Sequence, residues 1–190
     1  MGNSKFNIDK KIVAMIPARI GSKRILSKNL RYLGDKPLIC HVLETISRTE
    51  VFDEVYVNSD GLIFKEFSDQ YGFEFFHRKA ELANDTATND SFAYDFLKSI
   101  DCDLLVQILP TSPFLTKSDI EGFTIKIAGD ELAGLISVEA KQIACLYRGL
   151  PINFEKEKMN PPSQSMEPIY AYATALMGWE RRAFIDNYEE

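Results

Sequence analysis

The chain has 190 residues, 45% hydrophobic and 26% charged, a composition typical of one ordinary globular domain with a full core. Its formal net charge of −6 argues against a nucleic-acid-binding surface, and no apolar run approaches the roughly 20 residues of a membrane span, so we expect neither kind of partner. Three widely spaced cysteines and two histidines argue against a disulfide framework or a zinc site, and the lack of a signal pattern favours the cytoplasm.

The chain opens with a polar segment, residues 1–10, which we expect to be a flexible tail, followed by a single domain over residues 11–190. Residues 12–16 form a short apolar run that is rich in β-branched side chains. Such a run is too short for a helix and predicts a strand buried on both faces, with Pro17 ending it.

A loop with four cations within ten residues follows this strand: Arg19, Lys23, Arg24 and Lys28. Gly21 and Ser22 lie between them and supply small residues whose backbone N–H groups can turn toward an anion. The pattern predicts a phosphate-binding loop, and the alternative is a solvated basic loop. It is neither a P-loop nor a Gly-x-Gly-x-x-Gly fingerprint, because the glycine spacing of both is missing.

Strand-like and helix-like segments alternate through the rest of the chain, which predicts a mostly parallel sheet with helices on both faces. Further strands are predicted at residues 55–57, 73–76, 103–109, 132–138 and 170–177. Helices are predicted at residues 38–46, 62–71, 90–100 and 179–188, and in a segment that ends at residue 127. Pro37 is predicted as an early helical residue of the first helix, and Gly72 is predicted to end the second. Asn89 or Asp90 is predicted to cap the helix at 90–100, and Thr116 or Ser118 the helix that ends at residue 127.

Residues 149–170 break this alternation, because four prolines stand there among charged and polar residues: Pro151, Pro161, Pro162 and Pro168. We expect an excursion from the sheet. A plain surface loop is the alternative, although a structureless loop of about 20 residues is unusual in a compact domain.

The motifs resemble a known family. Residues 19–24 (Arg-Ile-Gly-Ser-Lys-Arg) and 28–30 (Lys-Asn-Leu) resemble the signature loop of the cytidylyltransferases that make CMP-activated acidic sugars, with the acylneuraminate cytidylyltransferases as the best-known members. Residues 57–60, 80–88 and 109–114 match in order and spacing, so the resemblance covers about residues 11–140.

The resemblance implies a fold and a reaction. The fold is a Rossmann-like three-layer α/β/α nucleotidyltransferase, of the nucleotide-diphospho-sugar transferase type. The reaction transfers CMP from CTP to an acidic sugar, sialic-acid-like or a related nonulosonate, and releases pyrophosphate. The family also implies Mg²⁺ as a cofactor and a homodimer, in which the excursion at about 149–170 contacts the partner.

The site residues follow from the same resemblance and from the basic loop. The residues expected to be catalytic are Arg19, Lys23 and Lys28. Those expected to bind the nucleotide are Ala18, Arg19, Gly21, Ser22, Lys23, Lys28, Asn29, Arg78, Asp85, Thr88 and Asn89, and those expected to bind the sugar are Gln107, Thr111 and Ser112.

Ordinary structural roles compete with several of these assignments. Arg78 has a surface ion pair as its alternative, and the polar run around Asp85 and Thr88 has helix capping. Asp60, at the sheet edge where ligands bind in such folds, has a turn or cap role as its alternative.

Two departures from the family pattern concern the sugar. Leu109 stands where sialic acid synthetases carry Gln before Pro-Thr-Ser-Pro, and Phe114-Leu115 follows where they carry Arg. Ala173-Thr174 replaces an expected Asn-Gly. Polar groups that would hold a sialic acid are therefore missing, and we expect a different acceptor or a different way of holding it.

A third departure concerns the metal. The family holds magnesium partly through an Asp-x-Asp, and the spacing of Asp186, Glu189 and Glu190 does not match it. The sequence assigns no metal ligand, although Asp60 or Asp85 are alternatives. Three hypotheses stay open: a piece of a longer enzyme, a nucleotide-binding module with little turnover, and a uridylyl- or guanylyltransferase of similar fold.

Overall fold

The structure is a computed structural model that describes residues 8–22, 25–155, 162, 164 and 166–190. The chain divides into two compact units. The first runs to Leu135 and resumes at Ala175–Glu190, and the second is Ile136–Thr174. Most of the predicted tail lies outside the described residues, and the prediction of a single domain from residue 11 stays a prediction.

A buried parallel sheet organises the first unit. Strand β1, Ile12–Pro17, has every residue buried, as its apolar sequence predicts. It pairs in parallel with β4, Glu54–Ser59, and with β6, Leu104–Ile108. Strand β5, Glu74–His77, adds to the far side of β4, again in parallel.

The last strand of the chain makes the sheet mixed. The strand order is β5-β4-β1-β6-β10-β7, where β7 is Gly134–Lys141 and β10 is Ile169–Glu180. Residues 176–180 of β10 run antiparallel to β6. The observed sheet is thus mostly parallel with an antiparallel insertion, and the predicted α/β fold class is confirmed.

The described residues form five α-helices among these strands: α1, Leu38–Ile46; α2, Ile63–Tyr71; α3, Asn89–Ser99; α4, Lys117–Gly129; and α5, Arg181–Glu189. One core cluster joins buried side chains of α1, α2 and α4 to Ile12, Ala14 and Ile16. A second cluster joins α3 and part of α5 to Val13 and Met15. Because β1 alternates between the clusters, helices cover both faces of the sheet and three layers result.

The helix ends confirm some sequence predictions and correct others. Gly72 ends α2 with φ of 70°, a conformation that glycine adopts without strain. Thr116 caps α4 in a reciprocal capping box with Asp119. Two predictions were wrong: Pro37 lies before α1 in extended conformation, and Thr88 rather than Asn89 or Asp90 caps α3.

Very short strands were not predicted. In the first unit, β2, Tyr32–Leu33, pairs with β3, Lys36–Pro37. In the second unit, β8, Leu146–Tyr147, pairs with β9, Leu150–Pro151, within the proline-containing segment. Each has only two residues, which is too few for a periodic sequence pattern.

Among the described residues, no helix is both long enough and apolar enough to cross a membrane.

Candidate functional site

A pocket of about 720 Å³ opens in the first unit where the parallel strands end. Strands β5, β4, β1 and β6 run in parallel, so the segments that follow them meet at one edge of the sheet, the usual ligand-binding edge of such folds. The volume is in the range of small-molecule sites. Its lining consists of Pro17, Arg19, Ser22, Ile25, Lys28, Asn29, Arg78, Asp85, Phe92, Leu109, Pro110 and Thr111.

The basic loop leaves β1 and is fixed at its first residues. The buried Ala18 donates its backbone N–H to the carbonyl oxygen of Asn58 at 3.0 Å. The side-chain amide of Asn29, itself buried, donates to the carbonyl oxygen of Arg19 at 3.4 Å. These two bonds hold Arg19 at the pocket edge from both sides of the loop.

Arg19 bridges to a second loop. Its Nη1 donates to the carbonyl oxygen of Asn84 at 2.8 Å, and its Nη2 lies 3.2 Å from Oδ1 of Asp85. Lys28, which begins a short 3₁₀-helix, also lines the pocket. The pocket therefore has cationic groups on the β1 side and a carboxylate that already engages one of them.

Arg78 is the most deeply buried cation in this lining, with 4% of its surface exposed. Its Nε donates to Oδ1 of Asn58 at 2.7 Å, its Nη2 donates to the carbonyl oxygen of the same residue at 3.0 Å, and its guanidinium carbon lies 4.0 Å from the centre of the Phe92 ring. Within the described residues, no carboxylate forms an ion pair with it.

Burial lowers the pKa of Arg78 to about 10, with the nearby Arg19 acting in the same direction and Asp60 opposing both. Because it is buried and no carboxylate of the described residues pairs with it, the guanidinium is an incompletely compensated positive charge in the pocket lining. Such a group is suited to an anion or to the carbonyl oxygens of a base, since a guanidinium only donates hydrogen bonds.

The polar run after Arg78 has mainly a structural role. Oδ1 of Asn84 accepts from the backbone N–H groups of Thr86 and Ala87, and Oγ1 of Thr88 accepts from that of Ser91 at the start of α3. Only Asp85 of this run lines the pocket. Capping, the alternative to nucleotide contact, is therefore what Thr88 does in the structure.

The end of β6 forms an apolar wall. Leu109 and Pro110 line the pocket together with Ile25 from the basic loop, and Thr111 adds a hydroxyl group. Gln107, two residues earlier, is fully buried: its Nε2 donates to Oδ1 of Asn89 at 2.7 Å, and its Oε1 has no hydrogen-bond partner among the described residues. It ties the start of α3 to the sheet.

The structure brings together seven of the predicted site residues in the lining: Arg19, Ser22, Lys28, Asn29, Arg78, Asp85 and Thr111. Six others in the described part of the chain are not in the lining: Ala18, Gly21, Thr88, Asn89, Gln107 and Ser112. Lys23 lies outside the described residues. The roles assigned to all of these residues stay predictions.

Sequence reasoning missed the apolar lining residues. Phe92 stands in the second turn of α3, where an aromatic side chain has no local feature that distinguishes it from core. Ile25 and Leu109 were not predicted as ligand contacts, because an apolar side chain by itself has no local signal that distinguishes a pocket wall from core. The position of Leu109 directly after a buried strand was a usable signal.

The donor set for magnesium can be tested on the described residues. No group of three or more His, Cys, Asp or Glu side chains there is arranged to hold a metal ion, and Asp85, the carboxylate of the pocket lining, is engaged with Arg19. Mg²⁺ commonly needs only one or two carboxylates besides substrate phosphates. The described side chains alone do not form a magnesium site, so an Mg²⁺ ion in this pocket would be held largely by substrate phosphates.

Comparisons with known proteins identify relatives of this chain. The model of the protein family described as "Cytidylyltransferase" matches residues 13–131. The N-acylneuraminate cytidylyltransferase of Escherichia coli O18:K1:H7 is 30% identical over 165 residues, which are 86% of this chain and 35% of that protein. The CMP-N,N'-diacetyllegionaminic acid synthase of Legionella pneumophila is 30% identical over 143 residues, covering 71% of this chain and 62% of that protein.

Solved structures share the fold. A CMP:2-keto-3-deoxy-manno-octonic acid synthetase complexed with CTP aligns with a TM-score of 0.69 at 19% identity, over 94% of this chain and 77% of that chain. A 4-diphosphocytidyl-2C-methyl-D-erythritol synthase from Anaerococcus prevotii aligns with a TM-score of 0.67 at 16% identity, over 95% and 74%. The chain itself spans about a third of the length of its E. coli relative.

Proposed function

Because this chain belongs to the cytidylyltransferase family, we propose that it transfers CMP from CTP to an acidic sugar, sialic-acid-like or a related nonulosonate, and releases pyrophosphate. The observation that carries the proposal is the convergence of Arg19, Lys28 and Arg78 on one pocket at the carboxyl edge of the sheet. A triphosphate brings several negative charges to such a site, and three cations offset them.

In the proposed reaction, a hydroxyl oxygen of the sugar attacks the α-phosphorus of CTP. The new O–P bond forms in line with the bond that breaks, pyrophosphate leaves with that bond's electron pair, and the hydroxyl proton passes to solvent. There is little covalent chemistry for the protein to perform in such a transfer, so its contribution is positioning and charge stabilisation.

The residues have separable roles in this proposal. Arg19 and Lys28 stabilise the charge that develops on the leaving pyrophosphate, and Ser22 with the loop amides binds the phosphates. Arg78 and Asn29 fix the nucleotide. Thr111 and the wall formed by Leu109 and Pro110 face the acceptor.

Magnesium belongs to the proposal as an ion brought largely by the triphosphate. Asp85 is the one carboxylate of the described lining that could hold it, and the ion would supply positive charge that offsets the charge of the triphosphate. The expected result is that pyrophosphate release requires Mg²⁺, and Asp85→Asn tests whether its carboxylate contributes.

We also propose a homodimer that forms through the second unit. Large apolar side chains of this unit are exposed, including Tyr147 at 62%, Leu150 at 69% and Tyr172 at 73%. Contiguous exposed apolar surface often marks a protein interface.

Pyrophosphate release measured with CTP, UTP or GTP and a panel of acidic sugars tests the activity. We expect turnover with CTP only, and a fall in kcat/KM of about 100-fold or more for Arg19→Ala and Lys28→Ala, because each removes a charge that acts on the transition state. Arg48→Ala is the matched control, since this exposed arginine pairs with Glu44 at the end of α1.

Two outcomes would overturn the proposal. Preferred use of UTP or GTP would assign a different nucleotidyltransferase activity. If CTP protects the protein against thermal unfolding but no sugar of the panel supports the release of pyrophosphate from CTP, the chain is a nucleotide-binding module.

A further inference from the structure

Asp60 stands directly after β4 and contacts the basic loop without lining the pocket. Its Oδ1 accepts a hydrogen bond from the backbone N–H of Ile20 at 2.9 Å. Ile20 is the residue after Arg19, so this bond fixes the loop backbone beside a pocket cation. A carboxylate acceptor makes a stronger bond to a backbone N–H than a neutral one does.

Gly61, the residue after Asp60, packs closely against the same loop. A Cβ atom on Gly61 would lie 3.1 Å from Cδ1 and 3.2 Å from Cβ of Ile20, closer than ordinary van der Waals contact. The backbone N–H of Gly61 donates to Oγ of Ser59 at 3.0 Å, which fixes the turn. The absent side chain at residue 61 is therefore what lets the Ile20 side chain reach this turn.

These contacts complete a set that surrounds Arg19. Ala18, before it, is bonded to Asn58 of β4, and Ile20, after it, is bonded to Asp60. Both anchors come from the end of the same strand, so the loop inherits the position of a central strand of the sheet.

We propose that Asp60 is a positioning residue that, through the Ile20 N–H, holds residues 18–22 of the basic loop in the conformation that binds phosphate, while Gly61 leaves space for the Ile20 side chain. This inference rests on the proposed function for its catalytic consequence. Its structural part, the anchoring of the loop, does not.

Two substitutions separate the hydrogen bond from the charge. Asp60→Asn keeps an oxygen that can accept from Ile20 and removes the charge, whereas Asp60→Ala removes both. Since losing a hydrogen bond to a charged group has a larger effect than losing a neutral one, we expect Asp60→Ala to raise the KM for CTP about tenfold with a smaller fall in kcat, and Asp60→Asn to stay within about threefold of the wild type.

The role of Gly61 is tested by a paired substitution. Gly61→Ala is expected to displace Ile20 and raise the KM for CTP. Adding Ile20→Ala to the same chain is expected to bring the KM part of the way back, because the Cδ1 atom that the new methyl group meets is then gone. Gly122→Ala is the control, since Gly122 lies on α4 with nothing within 4 Å of the added methyl group.

Hydrogen exchange of the peptide containing Ile20, measured without nucleotide, gives a readout independent of activity. Faster exchange in Asp60→Ala but not in Asp60→Asn is the expected result. Equal exchange in all three proteins, or equal kinetic defects in Asn and Ala with a raised requirement for Mg²⁺, would overturn the proposal and indicate that the Asp60 charge acts directly. If the wild type neither binds nor turns over CTP, the proposed function fails while the exchange result still decides the anchor.

Discussion

At the residue scale, the cations of the pocket are held in two different ways. The Arg78 guanidinium is buried and fixed by two bonds to Asn58, whereas Arg19 pairs with Asp85 through side chains that are 36% and 41% exposed. Exposed ion pairs contribute little, so a phosphate can replace Asp85 as the partner of Arg19 at low cost. In the part of the chain that the structure describes, Arg78 has no carboxylate partner to exchange, and it acts as a fixed charge.

The first prediction concerns Arg78. Arg78→Ala is expected to weaken CTP binding about 100-fold and to lower the free energy of unfolding by about 1–3 kcal/mol, because Asn58 loses its buried donors. Arg78→Lys is expected to recover part of the binding, since it restores the charge without the planar fork. Calorimetry with CTP and urea unfolding measure the two effects. An unchanged CTP affinity in Arg78→Ala would show that this cation does not face the nucleotide.

The second prediction concerns the apolar wall. Leu109→Gln places an amide where sialic acid synthetases carry one, and we expect it to raise kcat/KM for N-acetylneuraminic acid by about tenfold, the size of one added hydrogen bond. The KM for CTP should not change. The control is Leu62→Gln, at an exposed residue just before α2. An effect on CTP and none on the sugar would place the wall against the nucleotide.

At the element scale, the longer strands were the predictable part of the fold. Runs such as residues 12–16 are apolar throughout because both faces of a central parallel strand are buried, so their sequence alone locates them. Caps were less predictable, because Thr88, Asn89 and Asp90 are all suitable residue types. The choice depends on Gln107, which engages Asn89 from a strand 18 residues away.

The features of the site were also predictable from the sequence only in part. Two cations of the lining, Arg19 and Lys28, could be predicted, because four cations within one short loop are conspicuous in an acidic chain. The pairing of Arg78 with Phe92 could not, since it depends on how α3 packs beside β5 rather than on any local pattern. The role of Asp60 was left open between ligand and turn, and only the contact with Ile20 distinguishes a third role.

The third prediction concerns the packing of α4 on β10. A Cβ on the buried Gly178 would lie 2.8 Å from Cδ1 of Ile127, 3.1 Å from Cε1 of Phe123 and 3.4 Å from the carbonyl oxygen of Leu105. Gly178→Ala is therefore expected to destabilise the protein by about 1–3 kcal/mol.

Thermal or urea unfolding checks this expectation. Ile127→Val in the same chain removes the Cδ1 atom and should recover part of the loss, while Gly122→Ala on the outer side of α4 should be neutral or slightly stabilising. A neutral Gly178→Ala would mean that α4 can move away from the strand freely.

At the scale of the whole molecule, charge and architecture are distributed unevenly. The net charge is −6, yet the pocket lining contains Arg19, Lys28 and Arg78 against the one carboxylate of Asp85. A local cationic site in an acidic protein favours small anions over nucleic acids, whose long backbones would be repelled elsewhere on the surface. The first unit holds this cationic pocket, whereas the second unit exposes large apolar side chains.

The fourth prediction concerns that unit. If it forms the homodimer interface, replacing Tyr147 and Leu150 together by Ser should convert the dimer to a monomer, as these side chains are more than half exposed. Light scattering after size exclusion measures the mass, and the control is a double substitution of Lys65 and Glu66 on α2 by Ser. A wild-type chain that is monomeric at all concentrations would contradict the homodimer.

The position of β10 has a consequence for biosynthesis. Residues 176–180 pair with β6, whose residues 104–108 precede them in the chain and leave the ribosome earlier. Until β10 has been synthesised, the backbone groups on that side of β6 lack this partner. All side chains of Leu104–Ile108 except that of Gln107 are apolar. Open apolar edges are sites of mispairing between chains. A ribosome that stalls before codon 176 would therefore release a nascent chain that holds the complete pocket lining and is nevertheless a substrate for chaperones.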